Sequence, residues 1–191
     1  MPEALRLFLA IEPDPELRRG LSHLIGELKR ESWAAHVRWV RSANLHLTLR
    51  FLGDVAAEDI SGISGGVRTV TGGIEPFRIG VHRIAPFPTP RRPHAIVGET
   101  TPCPQLFALA STLEQVAVSA GLAPERRPFS PHFTLGRLIK SRTPHLNESA
   151  KSNLGPMTVG RIVLLNSEQT ERGRTYTPLE YFPLGKSGSA A

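Results

Sequence analysis

A chain of 191 residues, 40% hydrophobic and 21% charged, has the composition of an ordinary globular protein, long enough for one substantial core or two small lobes sharing one. A formal charge of +6 favours an anionic partner, and a single cysteine excludes an intrachain disulfide framework. No apolar run approaches the ~20 residues of a membrane helix, and the short apolar opening at residues 7–11 follows Glu3 without a basic start, so the expectation is a cytoplasmic protein with no membrane partner.

The first expected strand covers residues 5–11. Asp14 as N-cap and Pro15 at the first helical position then open a helix, in which Leu17, Leu21, Leu24, Ile25 and Leu28 form one stripe of a 3.6-residue period. A short strand at 37–40 precedes the stretch Leu45-His46-Leu47-Thr48-Leu49-Arg50-Phe51-Leu52-Gly53, whose polar and apolar residues alternate as on a half-buried strand. A strict period of two puts Leu45, Leu47, Leu49 and Phe51 toward a core and His46, Thr48 and Arg50 on the opposite surface. His46 and Thr48 then stand about 6.6 Å apart, a spacing suited to gripping one small anion.

A helix over 57–70 follows, with Ile60, Ile63, Val67 and Val70 inward, although Gly62, Gly65 and Gly66 weaken it. Residues 77–84 read as a strand, and 85–93, with four prolines, as an extended loop. The second half then repeats the order of the first. Residues 94–99 form a strand, Thr101-Pro102 offers a cap and first turn, and Leu106, Leu109, Leu113, Val116 and Ala120 form a helical stripe ended by Gly121. After a loop comes a second His-x-Thr, His132-Phe133-Thr134-Leu135. Strand, helix and His-x-Thr strand thus recur, the pattern of an internal duplication with approximate twofold symmetry. Closing strands are expected near 158–165 and 176–182, with a flexible tail at 186–191 after a single domain spanning 1–185.

Seven histidines and thirteen threonines make one chance His-x-Thr unsurprising, so the weight lies in context. Both triplets are followed by Leu, both alternate with apolar residues, and both follow matching elements. Other chemistries fit worse. Gly185-Lys186-Ser187 lacks the upstream glycine of a phosphate loop, no histidines have metal-ligand spacing, and Cys103 between two prolines reads as a structural thiol. His23, His36, His82, His94 and His145 have no partner pattern and are expected at the surface. Arginines and lysines gather at Arg91-Arg92, Arg126-Arg127 and Arg137, Lys140 and Arg142, in or beside loops.

Val37-Arg38-Trp39-Val40, Asn44 through Gly53, Phe87 through Pro93, Arg127 through Leu135 with Arg137, and Tyr176 through Leu184 together resemble the RNA 2',3'-cyclic phosphodiesterases of the two-histidine (2H) phosphoesterase superfamily, once called 2'-5' RNA ligases. The likeness covers nearly the whole chain. It departs at Gly136, where a small Ala is common, and at Asn166-Ser167-Glu168, where Glu-Ser is usual.

The resemblance implies an α+β fold of two pseudo-symmetric lobes, each an antiparallel sheet backed by helices, with a central cleft holding one motif from each. It implies hydrolysis of RNA 2',3'-cyclic phosphate ends, or of small cyclic nucleotides, to 2'-phosphomonoesters. His46 would be proton donor, His132 proton acceptor, and Thr48 and Thr134 would hold phosphate oxygens; Phe51, Arg137, Arg91 and Arg92 are further substrate-binding candidates. No cofactor, no metal and a monomer are expected. A ligase running the reverse reaction, or a module that binds RNA ends without turnover, would keep the same residues.

Overall fold

The computed structural model describes residues 4–139, 153–171 and 173–185. Its first strand, β1, covers Ala4–Ile11, and the first helix, α1, covers Pro15–Leu28. The Asp14 carboxylate accepts the Leu17 N–H at 2.8 Å, satisfying one of the helix's orphan donors. Leu17, Leu21 and Ile25 are buried, with Leu24 and Leu28 packed at the edge of the core. After β2 (Val37–Trp39) and β3 (Leu47–Ala56), helix α2 spans Ile60–Thr71 despite its glycines, because Ile63 and Val67 bury one face. Strands β4 (Phe77–Phe87) and β5 (Ala95–Thr100) lead to helix α3 (Pro104–Ser119) and strand β6 (His132–Leu138). The chain closes with β7 (Leu154–Val159), β8 (Arg161–Thr170) and β9 (Gly173–Pro183).

All pairings are antiparallel, in the order β7-β4-β5-β6-β3-β1-β8-β9, with β2 beside β6. Read outward from the centre, β6-β5-β4-β7 mirrors β3-β1-β8-β9, and α3 follows β5 as α1 follows β1. The expected duplication is therefore visible in space. Leu47 of β3 pairs with Phe133 of β6 where the halves meet, after which β6 turns to pair with β2. One continuous core fills the helix side, joining Leu9, Leu47 and Leu164 to Leu21, Leu109, Phe133 and Phe182. The opposite face carries a small cluster of Phe8, Ala10, Val163 and Leu165 with Tyr176 against it. That open face is the cleft.

Several boundaries differ from the sequence expectation. Strand β4 runs on through Pro86 to Phe87, because β7 pairs with β4 only as far as Val81 and no ladder donor is needed on that side afterwards. Thr101 does not cap α3: its N–H donates to the Gly80 carbonyl at 2.9 Å and its hydroxyl accepts the Gly80 N–H at 3.2 Å, so Cys103 takes the cap position. The single expected strand near 158–165 is two strands, broken at Gly160. Lys140, Arg142, His145 and the tail at 186–191 lie outside the described residues.

The largest correction concerns the His46 strand. Ala10 pairs with Thr48 but Leu9 with Arg50, so Leu49 is an extra residue in a β-bulge; Leu52 is a second, between Phe51 and Gly53. A bulge reverses the in/out alternation beyond it. Arg50 therefore turns to the helix side, where it pairs with Glu114 of α3 and donates to the Ala123 carbonyl at 2.6 Å. Phe51, expected inward by the strict period, is 50% exposed on the cleft face. Strand β6 carries the matching irregularity: Thr134 pairs with Val97 but Gly136 with Ile96, leaving Leu135 extra. Gly136 faces the core, where a Cβ would come within 2.4 Å of Val37 Cγ1. An Ala here would have to displace the Val37 side chain.

Candidate active site

An antiparallel register through Leu47 and Phe133 sets His46 across from Thr134 and Thr48 across from His132. All four side chains are half-buried on the cleft face, related by the approximate twofold axis between the two strands. The histidines lie on the diagonal, with backbones about 7–8 Å apart for such a pair. A tetrahedral anion seated between them meets an imidazole from either side and a hydroxyl from each strand.

Both rings are held the same way. His46 Nδ1 lies 2.7 Å from the Asn44 carbonyl, and His132 Nδ1 lies 2.7 Å from the Ser130 carbonyl. A carbonyl can only accept, so each Nδ1 carries the hydrogen and each Nε2 is left for the cleft. Asn44 is itself anchored, its side chain donating to the Arg174 carbonyl at 2.8 Å beside a 2.9 Å bond from Arg41. These carbonyls act as the orienting third group of each acid–base unit.

The rings differ in their surroundings. The centroid of the His46 ring is 5.0 Å from that of Phe8 and 4.9 Å from that of Tyr176, and this desolvation pushes its pKa down to about 4. The Asn44 carbonyl opposes the fall, while the charges of Arg137 and His132 add to it. His132 packs against Phe87 at 4.4 Å and is also lowered by burial, but Glu99, its direct partner on β5, opposes the fall together with the Ser130 carbonyl. The charge of Arg137, three residues beyond Thr134 on the same strand, lowers both rings further.

The bulges place the remaining candidates. Phe51 and Arg137 both stand three residues after their threonines and beyond a bulge, so they are equivalent positions of the two halves. Phe51 joins Phe8 at 5.8 Å in an aromatic wall with Tyr176, whereas Arg137 is an exposed cation on the other wall. Arg91 and Arg92 are exposed in the segment following Phe87. Arg127, by contrast, is neutralised by Glu125 at 3.1 Å, which holds that carboxyl down at about 2. Cys103 is buried, and His23, His36, His82 and His94 are exposed, as expected. Asn166 is buried and donates to Glu168 at 2.9 Å, a local bond inside β8.

Phe8 and Glu99 adjoin the histidines without having been singled out in the sequence, and Phe87 and Tyr176 were quoted there only within stretches that carry the resemblance. Phe8 sits in an apolar run buried on both faces, where periodicity is silent, and Glu99 meets His132 only through strand register. Among the described residues, no cluster of three or more His, Cys, Asp or Glu could hold a metal ion. No helix among them is long and apolar enough to cross a membrane.

Paired His-x-Thr strands on a duplicated antiparallel sheet define a phosphoesterase class, and the chain belongs to the LigT-like phosphoesterase family, which matches residues 11–97 and 99–175. Among its relatives is the RNA 2',3'-cyclic phosphodiesterase of Methanothermobacter thermautotrophicus, 35% identical over 186 residues, covering 94% of this chain and 99% of that one. The crystal structure of Escherichia coli LigT in apo form superposes with a TM-score of 0.78 at 28% identity, covering 96% of this chain and 99% of that one. The same protein complexed with 3'-AMP gives 0.79 at 28% identity, over 95% and 99% of the two chains.

Proposed function

We propose that this protein hydrolyses 2',3'-cyclic phosphate ends of RNA to 2'-phosphomonoesters, with His132 as base and His46 as acid. The observation that carries the reading is the symmetric quartet of two Nδ1-anchored histidines and two threonines on adjacent antiparallel strands.

A neutral His132 presents its Nε2 lone pair to the attacking water and takes its proton as the oxygen bonds to phosphorus. The bond from phosphorus to the 3' oxygen breaks on the opposite side, and that oxygen takes the proton from His46 Nε2. Solvent exchange returns the proton from His132 to His46. Thr48, Thr134 and Arg137 stabilise the non-bridging oxygens, where charge develops. Burial keeps His46 neutral in the free cleft, and the bound phosphate anion offsets this by favouring the imidazolium. Phe51 and Tyr176 offer the terminal base a stacking wall, and Arg91 and Arg92 add positive charge at the rim.

The test is incubation with an oligoribonucleotide ending in a 2',3'-cyclic phosphate, with the position of the product phosphate determined by NMR. Opening to the 2'-phosphate after exhaustive dialysis against a chelator is expected. A 3'-phosphate product would reverse the leaving group, and activity restored only by a divalent ion would overturn proton transfer between histidines as the sufficient chemistry.

A further inference from the structure

Beyond the reacting phosphate, the cleft wall carries a second cation whose placement is costly. Arg38 of β2 is directly across from Arg137 of β6. Its neighbours Val37 and Trp39 point to the core and close over Gly136, so Arg38 points to the cleft side with Arg137. Like charges facing each other across a strand pair repel. Some surface arginines have carboxylate partners, as Arg6 has Asp54 and Arg68 has Glu180, and others such as Arg91 and Arg92 have none among the described residues; what sets Arg38 and Arg137 apart is that they face each other directly across a strand pair. Among the described residues, neither the Arg38 nor the Arg137 side chain has a hydrogen-bond or ion-pair partner. Two exposed guanidiniums side by side without a carboxylate are an arrangement that an anion relieves, and the planar fork of arginine matches phosphate oxygens.

Register extends this to a row. Phe87, Ala95, Arg137 and Arg38 are successive cross-strand partners over β4, β5, β6 and β2. Past the Leu135 bulge Arg137 returns to the face of His132 and Thr134, and its row begins at Phe87, whose ring centroid is 4.4 Å from that of His132. Arg38 stands one strand further out, a step of about 4.8 Å. The row thus leads from the reacting phosphate to an outer edge where a second phosphate group can lie.

We propose that Arg38, together with Arg137, forms a subsite for the phosphodiester that immediately precedes the cyclic end of an RNA chain. The inference rests on the cyclic phosphodiesterase reading above and adds its substrate class: a chain with at least one internucleotide phosphate is preferred to a mononucleotide.

Three substrates test it: a nucleoside 2',3'-cyclic phosphate, a dinucleotide with the same cyclic end, and that dinucleotide with its internucleotide linkage replaced by a neutral methylphosphonate. The wild-type protein should prefer the charged dinucleotide to the methylphosphonate by about tenfold in kcat/KM, and Arg38→Gln should bring that ratio close to one, with Arg38→Lys in between. Equal losses on all three substrates, no loss on any, or no wild-type discrimination against the methylphosphonate overturns the subsite and leaves the reaction intact. If the wild-type protein opens none of the three, the parent reading fails instead. The subsite is then judged by binding: a dinucleotide 3'-phosphate binding no better than its methylphosphonate counterpart overturns it too.

Discussion

His46 and His132 occupy equivalent places in two strand–helix–strand units, each with Nδ1 fixed 2.7 Å from the carbonyl two residues before it. Around them the halves diverge. The His46 half surrounds its ring with Phe8, Tyr176 and, further along the strand, Phe51. The His132 half supplies Phe87, Glu99 across the ladder, and Arg137 with Arg38. The proposed in-line displacement needs one group on either side of phosphorus, which twofold geometry would supply, but identical groups in identical surroundings could not divide the work of acid and base. The unequal walls break that symmetry. One wall is aromatic; the other carries the exposed cations.

The strongest test removes the symmetric part. His46→Ala and His132→Ala should each lower kcat/KM by on the order of 10² to 10⁴, with Tm close to wild type because the core rests on Leu45, Leu47, Phe133 and Leu135. A cyclic substrate analogue with a good leaving group at the 3' position should rescue His46→Ala and not His132→Ala. Rescue of the other variant would exchange the two roles.

Next in size are single substitutions at the equivalent positions Phe51 and Arg137. Arg137→Gln should cost about 2 kcal/mol of transition-state stabilisation on every cyclic phosphate, since it removes charge-assisted bonds to the reacting group. Phe51→Ala should cost about 1 kcal/mol, mostly in KM and by an amount that varies with the terminal base. A loss at Phe51 independent of the base would mean that this ring shapes the cleft and does not stack on substrate.

The smallest effects are on pH dependence, and they run in opposite directions in the two halves. With both imidazoles held below their ordinary pKa, the optimum of kcat/KM should lie on the acid side of 6.5. Glu99→Gln removes the carboxylate that supports a charged His132, so the optimum should move to lower pH. Tyr176→Ala lets water reach His46, so the optimum should move up. Shifts of the same sign in both variants would refute the division between walls. Stability should carry the same mark: the unfolded chain protonates His46 near 6.5 and the folded chain only near 4, so the unfolded state binds more protons between these values and stability falls as pH drops through that window. His46→Gln should lessen the fall, measured as the denaturant midpoint against pH.

Local sequence determined the elements that depend on local physics. Asp14-Pro15 starts α1, the leucine stripe buries it, and the two His-x-Thr triplets alternate with apolar neighbours because a strand with one covered face demands it. Recurrence of strand, helix and His-x-Thr was enough to expect an internal duplication, and the family resemblance implied the cleft between its halves. Tertiary structure alone decided what lies beside what. The extra residues Leu49, Leu52 and Leu135 reverse the alternation only where a partner strand leaves them unpaired, which sends Arg50 inward and brings Phe51 and Arg137 to the cleft. Thr101 lost its capping role to a bond with Gly80, and Glu99 came beside His132 and Arg38 beside Arg137 only through register with strands distant in sequence. A period read along one strand cannot register a bulge, because a bulge is a mismatch between two strands and exists only once they pair.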